Sequence, residues 1–292
     1  MAAPLSQVFF PSGFQELFSA WNRFPDAVIY AGGTELVRNQ GRRIPLLPRN
    51  IISLDKLEDL RKISRTERYL EIGAMVRLSQ IIHLGKIVPE ILTRCIECMA
   101  DPQLRNLATI GGILCNPTGS FGGFAPMIAL DAQYELRTAQ SSRWMGASRF
   151  SSASGSVIMA PQELLTRIRV PLDPWTFTSY RRFQTPGRNG DAGTILFIMR
   201  NEKNILTDVR VVYSGQIILR DKDSENMLSG KLLPLDPRDA AAFTDRWRNY
   251  LSGITEDTES SAFSGKKGNF NPDLLKAQII NFIETTIRQI SD

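Results

Sequence analysis

The sequence predicts an α+β fold on three observations. Near the start, an apolar run at 27–30 leads into a glycine pair, a helical turn and a second apolar run at 51–54; this β-turn-α-β order predicts a small parallel sheet. Further on, 177–183, 194–200 and 205–213 read as three strands of an antiparallel sheet, the last two joined by a hairpin turn at 201–204. Residues 271–290 then place Leu274, Leu275, Ile279, Phe282, Ile283, Ile287 and Ile290 on one helical stripe.

The elements between follow in order. Phe14, Leu17, Phe18 and Trp21 recur at helical spacing over 13–24. A turn of helix is expected over 35–40, a strand over 69–74 and a helix over 78–84, with Ser79 near its start. Pro89 opens a helix that reaches Ala100, carries Ile91, Leu92, Cys95 and Met99 on one face, and is ended by Pro102. A glycine-rich stretch fills 111–123, regular structure resumes at 127–130 and 133–137, and short strands are expected at 157–159 and 168–170. Pro171-Leu-Asp-Pro-Trp175 marks a domain boundary. Residues 254–269, rich in Ser, Thr, Gly and charge, read as a mobile loop.

Composition narrows the function. With 292 residues the chain can build two domains, and 42% hydrophobic with 22% charged residues is usual for a globular protein. The opening MAAPLSQVFFPSGF lacks the pattern of a signal peptide, and no apolar stretch is long enough to span a membrane. Three cysteines without a secretory signal predict a reduced, cytoplasmic setting. A net charge of +5 raises a nucleic-acid partner, but the arginines are scattered and no aromatic-basic motif accompanies them, so none is expected. A basic chain also suits anionic ligands such as dinucleotides. The only histidine is His83, read as a surface or capping residue, so a multi-histidine metal site is excluded. Cys95, Cys98 and Cys115 are too few to hold an ordinary iron–sulfur cluster, and the CxxC of the first two lies mid-helix, where core packing explains it. Redox chemistry would therefore need an organic cofactor, and no catalytic side chain or metal ligand is assigned.

Two motifs carry chemistry. In Ile29-Tyr30-Ala31-Gly32-Gly33-Thr34-Glu35-Leu36, a strand feeds a glycine pair, a hydroxyl and a helix start. Glycines let backbone approach a ligand and turn successive N–H groups toward it, which suits a pyrophosphate; an ordinary tight turn is the competing reading. It is not GxGxxG, so no Rossmann site is implied. In the second motif, Pro102-Gln-Leu-Arg-Asn-Leu-Ala-Thr109-Ile110-Gly111-Gly112, a hydroxyl again stands before two glycines. Two such turns could clamp one extended anionic cofactor.

AGGTEL and PQLRNLATIGG, with IGAMVRLSQI at 72–81, PMIALDAQYEL at 126–136, TSYRRF and VRVVYSG, resemble the FAD-binding subunit of molybdenum hydroxylases, the group that includes xanthine dehydrogenase, carbon monoxide dehydrogenase and nicotinate dehydrogenase. The resemblance runs from about residue 8 to the final helix. It implies a FAD-binding two-subdomain fold of the vanillyl-alcohol-oxidase-like (PCMH) type over 1–172, with subdomains about 1–55 and 56–172, and a C-terminal α+β domain with a three-stranded antiparallel sheet over 173–292. It implies FAD on this chain, with the molybdenum cofactor on a large partner subunit and [2Fe–2S] clusters on a small one, in a heterotrimer. The chain would then be a FAD-dependent oxidoreductase subunit of the xanthine dehydrogenase type, passing electrons to NAD+ or another acceptor. Residues 29–36 would wrap the diphosphate and ribityl chain, and Thr109, Ile110, Gly111 and Gly112 would hold the diphosphate from the second subdomain. Met99 and Leu165 fall at apolar cofactor contacts, and Arg181 at a cationic position near the flavin.

The chain departs from the family pattern at two places. Ile113 stands where the family has Asn, and 119–123 is glycine-rich where the family has Asp. Losing both polar groups removes hydrogen bonds worth about 0.5–1.5 kcal/mol each, for which Asn116 or Ser120 could compensate. The alternative reading is therefore a degenerate structural subunit that keeps the fold but has lost or weakened FAD binding.

Overall fold

A computed structural model describes residues 6–38, 47–116, 124–152, 156–183, 193–215, 217–254 and 272–291. Three sheets follow one another along the chain. The first is parallel, built from β1 (Gln7–Phe9), β2 (Val28–Tyr30) and β3 (Asn50–Ser53) in the order β1-β3-β2. Helix α1 (Phe14–Arg23) gives Leu17 and Phe18 to a core that holds Phe9, Ile29 and Ile52. Side chains alternate across a strand, so Val8, Ile51 and Val28, which share one register row, point to the opposite face. Helix α2 (Thr34–Arg38) follows β2 after a three-residue turn.

The second sheet is antiparallel, with β4 (Ile63–Arg65), β5 (Tyr69–Gly73), β6 (Gln133–Arg137), β7 (Ser142–Gly146) and β8 (Leu164–Pro171) in the order β4-β5-β8-β6-β7. Leu70, Ile72, Tyr134, Leu136, Ile168 and Val170 alternate onto its buried face. Against that face lie α3 (Leu78–His83), α4 (Glu90–Met99), α6 (Ile110–Leu114), α7 (Phe124–Ala129) and α8 (Ala147–Phe150), while α5 (Pro102–Arg105), with no buried residue, sits beside α3. The other face carries a cross-strand ladder: Glu71 meets Arg169 at 2.6 Å and Arg167 at 3.4 Å, and Arg167 meets Glu135 at 3.1 Å. Such pairs each contribute about 0.2–1 kcal/mol to strand pairing.

The third sheet is antiparallel in the order β12-β11-β10-β9, from β9 (Phe177–Arg182), β10 (Thr194–Glu202), β11 (Ile205–Ser214) and β12 (Ile218–Leu219). The hairpin expected at 201–204 is present, and Lys203 and Asn204 take φ values of 50° and 63°, the paired positive φ of a tight hairpin turn. One face packs on α9 (Lys222–Leu228), α10 (Pro237–Ser252) and α11 (Pro272–Ser291), with Phe197, Phe243, Trp247 and Phe282 at the centre. The other face sends Leu196, Ile198 and Val212 into the core around α7, so the second and third sheets share one apolar layer. Arg210 fastens the join, donating to the Ala129 carbonyl at 2.6 Å and pairing with Asp131 at 2.6 Å.

Several local expectations change. The C-terminal sheet has a fourth strand, the two-residue β12, because the chain turns back past Ser214 and pairs again at Tyr213. Residues 157–159 form no strand: Val157 makes one bridge to Ser151, and Ile158 is exposed. Pro102 does more than end a helix; α4 stops at Met99, and Pro102 opens α5 at a position where its missing N–H costs nothing. Helix α10 fills a stretch without a sequence assignment, capped by Asp236, whose carboxylate accepts from the Arg238 N–H at 2.7 Å. The expected loop at 254–269 lies outside the described residues from 255 onward. Among the described residues no helix is long and apolar enough to cross a membrane.

Candidate functional site

β2 ends at Tyr30 and α2 begins at Thr34, leaving Ala31, Gly32 and Gly33 as the turn. Gly33 has φ +69°, a conformation glycine adopts without cost. Gly32 lies against a second segment so closely that a Cβ there would sit 2.1 Å from the Leu107 carbonyl oxygen. A side chain is sterically barred, and the first N–H groups of the following helix have no partner within it.

The second segment is pinned from behind. Leu78 N–H donates to the Ala108 carbonyl at 3.0 Å, Ile110 N–H to Val76 at 3.0 Å and Gly111 N–H to Ala74 at 2.9 Å. Thr109, 3% exposed, caps α6 and accepts from the Gly112 N–H at 3.2 Å. Gly112 faces the first turn: a Cβ on it would lie 3.9 Å from the Cβ of Ala31. The two glycine turns, from different sheets, therefore meet.

Between them is a cavity of about 270 Å³ lined by residues 28–36, Pro48, Ile51, Thr109, Gly112, Ile113 and Asn116. A second cavity of about 300 Å³ shares Tyr30, Ala31, Gly32 and Thr109 with it and adds Phe10, Ser53, Asp55, Arg61, Met75, Arg77 and Leu107. Phe10, Ala31 and Asp55 follow the carboxyl ends of β1, β2 and β3, where open parallel sheets receive ligands.

Residues 4–173 match the sequence profile of the family described as FAD binding domain in molybdopterin dehydrogenase. The chain belongs to this family. It is a FAD-binding subunit of the molybdenum hydroxylase type. The nicotine 6-hydroxylase medium subunit of Paenarthrobacter nicotinovorans is 24% identical over 266 residues, covering 88% of this chain and 90% of that one. The carbon monoxide dehydrogenase medium chain of Hydrogenophaga pseudoflava is 26% identical over 227 residues, covering 74% and 77%. Among solved structures, quinoline 2-oxidoreductase from Pseudomonas putida 86 superposes with a TM-score of 0.78 at 19% identity, covering 100% of this chain and 98% of that one. Carbon monoxide dehydrogenase from Oligotropha carboxidovorans gives 0.80 at 19%, covering 100% and 99%. At that identity the likeness shows the fold.

The residues present fit the diphosphate of FAD. Gly32 and Gly33 keep side chains out of the first turn, and Gly112 keeps the second one open. Asp55, the carboxylate of the second cavity, is neutralised by Arg61 at 2.5 Å. Arg61, Arg77 and the apolar Phe10 have no place in the two glycine motifs, and Leu107, which lies within the second, was not singled out as a site residue; the signal for Phe10 was its position just past a parallel strand.

Of the sequence-predicted site, Ile29, Tyr30, Ala31, Gly32, Gly33, Thr34, Glu35, Leu36, Thr109, Gly112, Ile113 and Asn116 line the first cavity. Ile110 and Gly111 are buried behind it: a Cβ on Gly111 would lie 2.7 Å from the Cβ of Ala74. Met99 and Leu165 are core residues at 4% and 3% exposure. Arg181 donates to the Asn281 Oδ1 at 2.8 Å and lies 5.4 Å from the Phe282 ring centroid, so it faces α11. Its neighbour Arg182, on the alternate face of β9, donates to the Cys98 and Met99 carbonyls. Ser120 and residues 119–123 lie outside the described residues.

Among the cysteines, Cys98 is exposed, so core packing explains Cys95 of the CxxC and not Cys98. Burial pushes Cys115, next to Asn116, up to about 12, and raises Cys95 well above the ordinary thiol range, so both stay protonated. His83 ends α3, exposed, with Nδ1 2.6 Å from the Ser79 carbonyl oxygen, and lines neither cavity.

Proposed function

We propose that this chain is the FAD-carrying electron-transfer subunit of a three-chain molybdenum hydroxylase in the cytoplasm. The observation that carries the reading is the meeting of two glycine turns, one per sheet, around one cavity. Residues 29–36 and Thr109, Gly112 and Asn116 would hold the diphosphate, while Arg77 would supply positive charge from the second cavity, where Arg61 is paired with Asp55. When bound, the flavin would accept electrons from [2Fe–2S] clusters on a small partner and pass them to NAD+ or another acceptor. Substrate would be hydroxylated at the molybdenum cofactor of a large partner; xanthine-type purine oxidation is the class carried forward. The proposed boundary near 172 is supported by the end of the family match at 173 and by the β8-to-β9 link at 172–176.

Purification of the chain with its partners tests this. The expected result is flavin absorbance near about 450 nm together with molybdenum and iron on the other chains. Molybdenum and iron with flavin persistently missing would sink the FAD assignment and favour the structural-subunit reading.

Ile113 motivates that second reading, because it lines the cavity where the family has Asn. Ile113→Asn is expected to tighten FAD by about three- to tenfold, the value of one hydrogen bond. Flavin titration of both proteins decides: a chain that binds FAD only after the Ile113→Asn substitution is degenerate, and one already saturated as wild type is not.

A further inference from the structure

The two cavities at the glycine turns share Tyr30, Ala31, Gly32 and Thr109, and of these only Tyr30 carries a large side chain that reaches solvent. Resting on the FAD reading, we propose that the Tyr30 ring is a latch with two positions: the one in the structure, closed over the first glycine turn, and one swung aside that admits FAD. The glycine turn would hold the diphosphate through its backbone, and the ring would control entry to it.

Alternation along β2 sends Ile29 toward the core and Tyr30 to the open face of the sheet, the face whose Val28 and Ile51 wall the first cavity. The ring folds forward onto the turn. A Cβ on Gly33 would lie 2.4 Å from the Tyr30 hydroxyl oxygen and 2.7 Å from Cε2 and Cζ, so the ring rests on the backbone of the turn itself. The strand beneath is fixed: Tyr30 pairs with Ser53, and its carbonyl accepts from the Leu54 N–H at 2.9 Å. The side chain is 37% exposed, so it can leave by rotation about χ1 without moving the strand, and exposed side chains rotate far faster than a ligand arrives. The cavities, about 270 and 300 Å³, stand at the lower end of the roughly 300–1,000 Å³ of small-molecule sites and are small for a dinucleotide. The ring they share is the side chain whose rotation enlarges both.

A latch and a contact to bound FAD leave different kinetic marks. A protein whose competent state is populated about one part in ten associates about tenfold more slowly than its open form, while the dissociation rate is untouched. Stopped-flow mixing of FAD with the flavin-stripped full chain, followed by flavin fluorescence, measures both rates. Tyr30→Ala is expected to raise the association rate about three- to tenfold at an unchanged dissociation rate. Tyr30→Phe keeps the ring and should associate as the wild type does. Unchanged association with faster dissociation in Tyr30→Ala would make the phenol a contact to bound FAD and overturn the latch. Equal rates in all three proteins would also overturn it, and would leave the FAD assignment standing. Binding by Tyr30→Ala alone would be the latch at its extreme. Failure of the wild type and both variants to bind FAD, with all three melting cooperatively, would remove the FAD reading and the latch with it.

Discussion

The two glycine turns look alike in sequence and are used differently. In the first, both glycines serve the backbone: Gly33 takes φ +69°, and Gly32 touches the Leu107 carbonyl. In the second, the pair is divided. Gly111 packs inward on Ala74, while Gly112 faces the cavity and donates its N–H to Thr109. A glycine pair therefore does not by itself say which glycine meets the ligand; the element behind it does. The first turn follows a strand at the sheet's open end, and the second starts a helix laid on a closed core.

The comparison breaks or holds on substitution. Gly32→Ala should have the largest effect on the ligand. Its Cβ would overlap backbone at 2.1 Å, so the two turns must separate. Overpacking of this kind costs about 1–3 kcal/mol, or about five- to 150-fold in FAD affinity, read by flavin titration of a chain that still melts cooperatively. Unchanged affinity would refute the closed contact. Gly111→Ala should do the reverse. Its clash with Ala74 is inside the core, so stability should fall by about 1–3 kcal/mol in denaturant unfolding while the folded fraction keeps most of its FAD affinity. If Gly111→Ala abolishes FAD binding at full stability, the division of labour is wrong.

Much of this was legible in sequence where pattern and physics agree. Of the expected stripe, Leu275, Ile279, Phe282, Ile283, Ile287 and Ile290 form the buried side of α11 while Leu274 is exposed, and the glycine motifs meet as expected. The run at 157–159 misled because three apolar residues fit a strand or a loop equally well, and the pairing there stops at one bridge, Val157 to Ser151, with the Ile158 N–H donating to the Phe150 carbonyl. Met99, Leu165 and Arg181 were placed by position in a family pattern, which specifies sequence alignment and not which way a side chain points. A one-residue step along β9 turns the cationic group from α11 to α4, so Arg182, and not Arg181, reaches Met99. Arg61 and Arg77 were invisible because nothing local marks a residue as lying beside the end of a parallel strand.

The smallest effect tests the link between the two uses of the second turn. Thr109 Oγ1 caps α6 by accepting from Gly112, the glycine that faces the cavity. Thr109→Ala removes the cap and should cost about 1 kcal/mol of stability. It also frees the Gly112 N–H, which is then available to a ligand oxygen. Stability should therefore fall more in the FAD-free protein than in the FAD-bound one, because the ligand would replace the lost acceptor. Thermal melts with and without FAD measure the difference directly. An equal loss in both states would mean that the Gly112 N–H stays out of reach of the cofactor, leaving the diphosphate to the first turn and the rest of the second segment.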